Sequence, residues 1–94
     1  MAKLTMYSLD YSSQFKRDFK KITKMPIPDI LEVGNVISTI QRGETLDAKY
    51  VDHLLTGNWL GFRDCHIKPD LVLIYRIFEG ELQLARIGSH SDLF

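Results

Sequence analysis

The apolar residues change period near Gly43, and that change limits the possible folds more than any other feature of the chain. Before it, Phe15, Phe19 and Ile22 recur at helical spacing. Ile30, Val33, Ile37 and Ile40 follow at i, i+3, i+7 and i+10, with Leu31 and Val36 widening the stripe. After Gly43, residues 60–67, 71–78 and 82–88 are dense in aliphatic and aromatic side chains and read as strands. Helices gathered in one half and strands in the other do not build alternating β-α-β units. The expected class is α+β.

The punctuation between these segments supplies an order. Residues 5–9 form a short strand candidate ending at Asp10, and Ser12 or Ser13 stands where a helix N-cap belongs. The first helix ends at Met25-Pro26-Ile27-Pro28, because proline has no amide to donate and restricts the residue before it. Pro28 and Asp29 suit the first turn of a second helix, which Gly43 terminates. Lys68-Pro69-Asp70 and Glu79-Gly80-Glu81 are turn signals between strands. The expectation is a β-α-α-β-β-β chain with two N-terminal helices packed on one face of an antiparallel sheet. No repeat, linker or low-complexity tract interrupts it, so residues 1–94 read as a single domain.

A composition of 45% hydrophobic and 26% charged residues in 94 argues against disorder. No stretch approaches the roughly 20 apolar residues of a membrane span. Met1-Ala2-Lys3-Leu4-Thr5 lacks the apolar core of a signal peptide, and the one cysteine, Cys65, has no partner for an intrachain disulfide. A cytoplasmic protein is expected, without membrane contact, and with Cys65 buried and inert. Twelve basic and twelve acidic residues cancel, so no overall cationic field marks a nucleic-acid binder. The charges are nonetheless uneven: Lys16, Arg17, Lys20, Lys21 and Lys24 surround a lone Asp18, while five acids between 29 and 52 face Arg42 and Lys49. The basic run reads either as a solvated helix face or as a surface for a polyanion.

Several polar residues interrupt the strand pattern. Strict alternation puts Leu60, Phe62, Asp64 and His66 on one face and Gly61, Arg63, Cys65 and Ile67 on the other. Alternation likewise groups Leu82, Leu84, Arg86 and Gly88, with His90 in line, and sets Arg76 between Ile74 and Phe78. Polar groups inside strands must be satisfied or functional. The three histidines, His53, His66 and His90, each stand near an acid (Asp52, Asp64 and Asp92), and histidine suits proton transfer near neutral pH. They lie 13 and 24 positions apart, so the local ligand pair of a zinc motif is missing and no metal is expected. A phosphate-cradling glycine loop and a Gly-x-Ser-x-Gly elbow are also missing. Asp70 could merely cap its proline turn, and Trp59 could be a core ring or a platform for a base.

Taken together, Asp52-His53-x-Leu55-x-Gly57-x-Trp59-x-Gly61-Phe62-Arg63-Asp64-x-His66-Ile67-x-Pro69-Asp70-x-Val72-Leu73-Ile74-Tyr75-Arg76 and Arg86-Ile87-Gly88-Ser89-His90-Ser91-Asp92-Leu93-Phe94 resemble the YafQ branch of the RelE-like bacterial toxins. The N-terminal half agrees in its two-helix character. The resemblance implies a RelE-like fold and a ribosome-dependent endoribonuclease that cleaves mRNA without metal or other cofactor. It further implies a cognate antitoxin as partner, mRNA and the ribosomal A site as targets, and no DNA contact by the toxin alone. The catalytic positions it implies are His53, His66, Asp70 and His90, with Trp59, Arg63, Asp64, Arg76, Arg86 and Phe94 as substrate contacts. Many RelE-like toxins use Lys, Arg and Tyr instead, so the histidine-rich set is particular to this branch.

Such cleavage uses the substrate's 2′-hydroxyl as nucleophile and leaves a 2′,3′-cyclic phosphate and a 5′-hydroxyl. It needs a base, an acid and cations for the phosphate oxygens. The expected roles are His90 as acid, Asp70 or His66 as base and His53 supporting the phosphate. Arg76 and Arg86 are the phosphate contacts, and Trp59 and Phe94 the stacking platforms. The alternative is a binding protein on the same scaffold without nuclease activity, such as a gyrase-inhibiting toxin.

Overall fold

Ser12 starts the first helix: its side chain accepts the Phe15 amide at 2.9 Å and donates to the Ala85 carbonyl at 2.7 Å, tying the helix start to the sheet. The structure, a computed structural model, describes residues 6–94. Helix α1 runs Ser13–Ile22 and α2 runs Ile27–Gln41, with Pro28 in its first turn. Strands β1 (Ser8–Tyr11), β2 (His53–Leu54), β3 (Arg63–Lys68), β4 (Leu71–Phe78) and β5 (Glu81–Gly88) form one sheet in the order β1-β5-β4-β3-β2. A single helical turn, α3, follows at His90–Leu93. The α+β class matches the sequence reading, and the expected β-α-α-β-β-β order is present with two short elements added, β2 and α3.

Three details differ from that reading, each for a physical reason. The sheet is mixed: β2 to β5 are antiparallel, but β1 pairs parallel with β5, Ser8 opposite Glu81 through Tyr11 opposite Leu84. Strand β1 joins a partner far along the chain, so no hairpin turn dictates its direction. That pairing also places the strand at 8–11 rather than at 5–9; residues 1–5 lie outside the described region. The strand expected from residue 60 begins at Arg63, because Gly57–Trp59 coils into a 3₁₀ turn and leaves Leu60 exposed. The third difference is a β-bulge, since Ile74 faces Arg86 while Tyr75 faces Leu84, leaving Ala85 as the extra residue. The alternation of β5 is therefore broken, and Ile87 rather than Gly88 joins Leu82 and Leu84 in the core.

That core lies between helices and sheet. Phe15, Ile22, Val33, Val36 and Ile40 meet Cys65, Ile67, Leu73, Tyr75, Leu82, Leu84 and Ile87, while Leu31 points to solvent. Each fully buried aliphatic side chain contributes roughly 1.5–3 kcal/mol of transfer free energy. Leu71 to Tyr75 form an unbroken buried run because the far face of β4 is covered too. There Val72, Ile74 and Leu93 gather with Leu55, Trp59, Phe62 and Ala85. Glu79 and Gly80 both take positive φ in the two-residue β4–β5 hairpin. At Gly88 α3 lies against the sheet, and a Cβ there would meet Leu93 at an ordinary contact distance of 3.4 Å.

Candidate active site

The second, smaller core supports a row of rings across the sheet face away from α1 and α2. His66 projects from β3, whose alternation turns Cys65 and Ile67 to the helices. His53 comes from the two-residue β2, with His53 opposite Asp64. His90 opens α3, which Ser89 caps by accepting the Asp92 amide. Ring centroids lie 6.3 Å apart for His53 and His66, 4.9 Å for His66 and His90, and 6.3 Å for His90 and Phe94. Residues separated by up to 41 positions (53 to 94) thus form one line.

An acid stands beside two of the three histidines. Asp70, in the β3–β4 turn, accepts both the backbone amide and Nδ1 of His90, each at 3.0 Å. The His90 amide, and then its ring, hold the Asp70 carboxyl below its ordinary value. At the other end, His53 Nδ1 lies 2.8 Å from the Val51 carbonyl oxygen and 3.1 Å from Asp64 Oδ1. The carbonyl takes the hydrogen bond. Asp64 is 3% exposed, and its Oδ1 has no hydrogen bond among the described residues.

The loop that delivers His53 is anchored from below. Asp52 accepts the Tyr75 hydroxyl at 2.7 Å and Arg63 Nε at 3.3 Å to each oxygen. That bond to Asp52, against a smaller opposing effect of burial, raises the Arg63 guanidinium above its ordinary value. Burial, followed by the Asp52 hydrogen bond, pushes the Tyr75 hydroxyl up as well. Preceding Asp52, Val51 sits at φ 51° and ψ 48°, a left-handed conformation that costs a β-branched residue about 1–3 kcal/mol. Tyr50, one residue earlier, is buried and donates to Glu32 of α2.

The remaining expected residues divide. Arg76 is on the open face, its guanidinium 4.9 Å from the Phe62 ring and 4.9 Å from the Phe78 ring, with Nε bonded to Gln83. Trp59 packs edge-on against Phe62 at 5.2 Å. Phe94 is 59% exposed at the end of the row. Arg63 lies toward the helices on Asp52. The Arg86 guanidinium is engaged by Asp18 of α1, with Nε at 2.7 Å and Nη2 at 3.2 Å, rather than standing free beside the histidines. A cleft of about 570 Å³ opens beside His66, between the start of α2 and the end of β3, with Lys49, Tyr50 and Lys68 on its wall.

Sequence reasoning named Asp18 and Asp52 without giving them these partners, and did not single out Tyr75. Asp18 carried a signal, being the lone acid in a basic run at the i+3 position from Phe15 and i−4 from Ile22, on the buried side of the helix. Asp52 and Tyr75 carried none, since 23 positions separate them. Among the described residues no three His, Cys, Asp or Glu side chains converge on a position fit for a metal ion, and no helix is long and apolar enough to cross a membrane.

The five-stranded mixed sheet backed by two helices, with its histidine row on the open face, places the chain in a class of small α+β domains. A family model described as "Bacterial toxin of type II toxin-antitoxin system, YafQ" matches residues 7–94, and the chain belongs to that family. It is 36% identical over 87 residues to "mRNA interferase toxin YafQ" of Escherichia coli (strain K12), covering 92% of this chain and 94% of that one. Among solved structures, the E. coli DinJ-YafQ complex superimposes with a TM-score of 0.82 at 35% identity, covering 94% of this chain and 98% of the other. A metal-bound toxin from Helicobacter pylori superimposes with a TM-score of 0.86 at 40% identity, covering 95% and 100%.

Proposed function

We propose that this chain is an mRNA interferase, a toxin that cleaves mRNA in the A site of the translating ribosome and is silenced by a cognate antitoxin. One observation carries the reading: the His53–His66–His90–Phe94 row lies along the open sheet face, with His90 oriented by Asp70 and His53 by the Val51 carbonyl. Family membership supports it, as does the solved complex of the E. coli relative with DinJ. A gyrase-binding surface would not need such a row.

In the proposed reaction the 2′-hydroxyl of the cleaved nucleotide attacks the adjacent phosphorus and gives up its proton to a histidine. The departing 5′-oxygen receives a proton from His90, leaving a cyclic phosphate and a 5′-hydroxyl. Such groups contribute typically ~10²–10⁴-fold each way. Asp70 serves His90 rather than acting as base: one oxygen takes both His90 hydrogen bonds, and the low-lying carboxyl is a weak proton acceptor. Arg76, on the same open face, serves as the phosphate cation, held between two rings so that it loses little freedom on binding. Phe94 stacks on a base beside His90, and Trp59 forms the far wall with Phe62. The neutral net charge is consistent with the ribosome, not the toxin alone, positioning the RNA.

The end chemistry tests this. Ribosome-programmed mRNA treated with the toxin should yield 5′-fragments ending in 2′,3′-cyclic phosphate and 3′-fragments starting with 5′-hydroxyl. Fragments bearing a 5′-phosphate would refute 2′-hydroxyl attack.

A further inference from the structure

We propose that Asp52 is a positioning residue: through the Val51-Asp52 turn it keeps His53 in the Nδ1–H tautomer, so that Nε2 is the ring nitrogen free to accept a proton. The inference deepens the active-site reading of His53 and rests on it for its functional consequence. Its geometry stands separately.

A neutral imidazole carries one N–H, and the partner of one nitrogen decides the state of the other. Around His53 Nδ1 there are two acceptors and no donor. The Val51 carbonyl is 2.8 Å away, and Asp64 Oδ1 is 3.1 Å away with no other hydrogen bond among the described residues. A carbonyl and a carboxylate facing one nitrogen both require a proton there. Left to itself, neutral histidine in water favours the opposite tautomer, with the proton on Nε2, so the surroundings must impose this one.

The imposing element is the turn. Val51 can aim its carbonyl back at His53 because it occupies the left-handed region, an arrangement a valine holds only when its neighbours fix it. Asp52 is that fixture: the Tyr75 hydroxyl and the Arg63 guanidinium grip its carboxylate from β4 and β3. With Asp52 removed, the side-chain grip on the strained turn is lost and only the two-residue pairing of β2 with β3 follows it. The carbonyl is then free to swing away from Nδ1. Asp64 alone remains, and its hydrogen-bond geometry to His53 is poorer, as its unbonded oxygen shows.

The test reads the tautomer directly. Long-range ¹H–¹⁵N spectra of the purified ¹⁵N-labelled chain, above the titration of its histidines, should show His53 Nδ1 protonated and Nε2 bare. Asp52→Ala should return His53 toward Nε2–H while His66 and His90 signals stay put. It should also lower kcat for ribosome-coupled cleavage about tenfold or more, the scale for removing a group that orients a functional histidine, with KM unchanged. Should Asp52→Ala fail to fold, Tyr75→Phe removes one of the two grips, keeps the ring, and should move the same His53 signals part of the way. Nε2–H in the wild-type chain, or a His53 tautomer unaffected by these substitutions, overturns the proposal. A tautomer that shifts as expected with kcat unchanged upholds the clamp and counts instead against His53 as an active-site residue.

Discussion

Replacing Asp18 by alanine should cost much of the stability of this domain while leaving the chemistry of the folded fraction intact. Asp18 is 5% exposed, and its carboxylate accepts Arg86 Nε at 2.7 Å, Nη2 at 3.2 Å and the Ile87 amide at 3.1 Å, joining α1 to the bulged part of β5. Breaking a buried pair by removing one partner typically costs ~3–5 kcal/mol, because the other charge is stranded. The Arg86 side chain remains 21% exposed and can reach water, which brings the expectation to about 2–4 kcal/mol. At about 4–8 °C per kcal/mol for a domain of this size, a loss of ~3 kcal/mol lowers Tm by roughly 10–25 °C. Urea unfolding at pH 7 measures it, and Asp18→Ala combined with Arg86→Met should recover part of the loss by removing the stranded charge. The pH dependence has a definite sign. Burial pushes the Asp18 carboxyl up, but Arg86, the Ile87 amide and Gln14 more than offset it, so the folded value lies below the ordinary 3.8. The stabilisation is therefore complete above the unfolded value and lost as pH falls through the folded one, so the gap between wild type and Asp18→Ala should narrow only below about pH 4. A variant within about 0.5 kcal/mol of wild type, or a gap that widens in acid, would refute the anchoring role.

Phe94 is exposed and makes no core contact, so deleting it should change Tm little while lowering cleavage by about one to two orders of magnitude, the equivalent of ~1–3 kcal/mol of lost stacking; a lowered Tm with proportionate activity loss would favour a packing role instead. Burial, aided by the nearby Asp52 and Asp64 charges, pushes the Cys65 thiol up to about 12, so its alkylation at pH 8 should follow global unfolding, and fast labelling of the native chain would contradict this. Cleavage should survive EDTA treatment of the purified toxin once ribosomal magnesium is restored, whereas activity recoverable only with added zinc would overturn the side-chain mechanism.

The fold was legible where local signals dominate. The Ser12 cap, the Pro26–Pro28 break and the Glu79-Gly80 hairpin act over a few residues, and each appears where its chemistry puts it. The parallel pairing of β1 and the Ala85 bulge were not legible, since both depend on which strand becomes a neighbour. The bulge had the larger consequence, because strict alternation grouped Gly88 with Leu82 and Leu84, whereas one extra residue puts Ile87 in that core instead. For the site, the resemblance supplied His53, His66, Asp70, His90 and Phe94, and residue spacing alone could not have brought them together. The partners that orient them stayed hidden for the same reason: Asp52 and Tyr75, or Asp70 and His90, meet only through the register of the sheet.

The central claim is that the histidine row, working on ribosome-bound message, performs the cleavage. Its most direct test is a reconstituted translation reaction comparing wild type with His90→Ala, with and without ribosomes. His90 lies on the surface at the start of α3, so the variant should melt within about 1 kcal/mol of wild type. Wild type should cut the message only when ribosomes are present, at sites within the A-site codon, and folded His90→Ala should lose at least about 10²-fold in rate. Equal cleavage by the two proteins, or equal cutting of free and ribosome-bound message, would contradict the account.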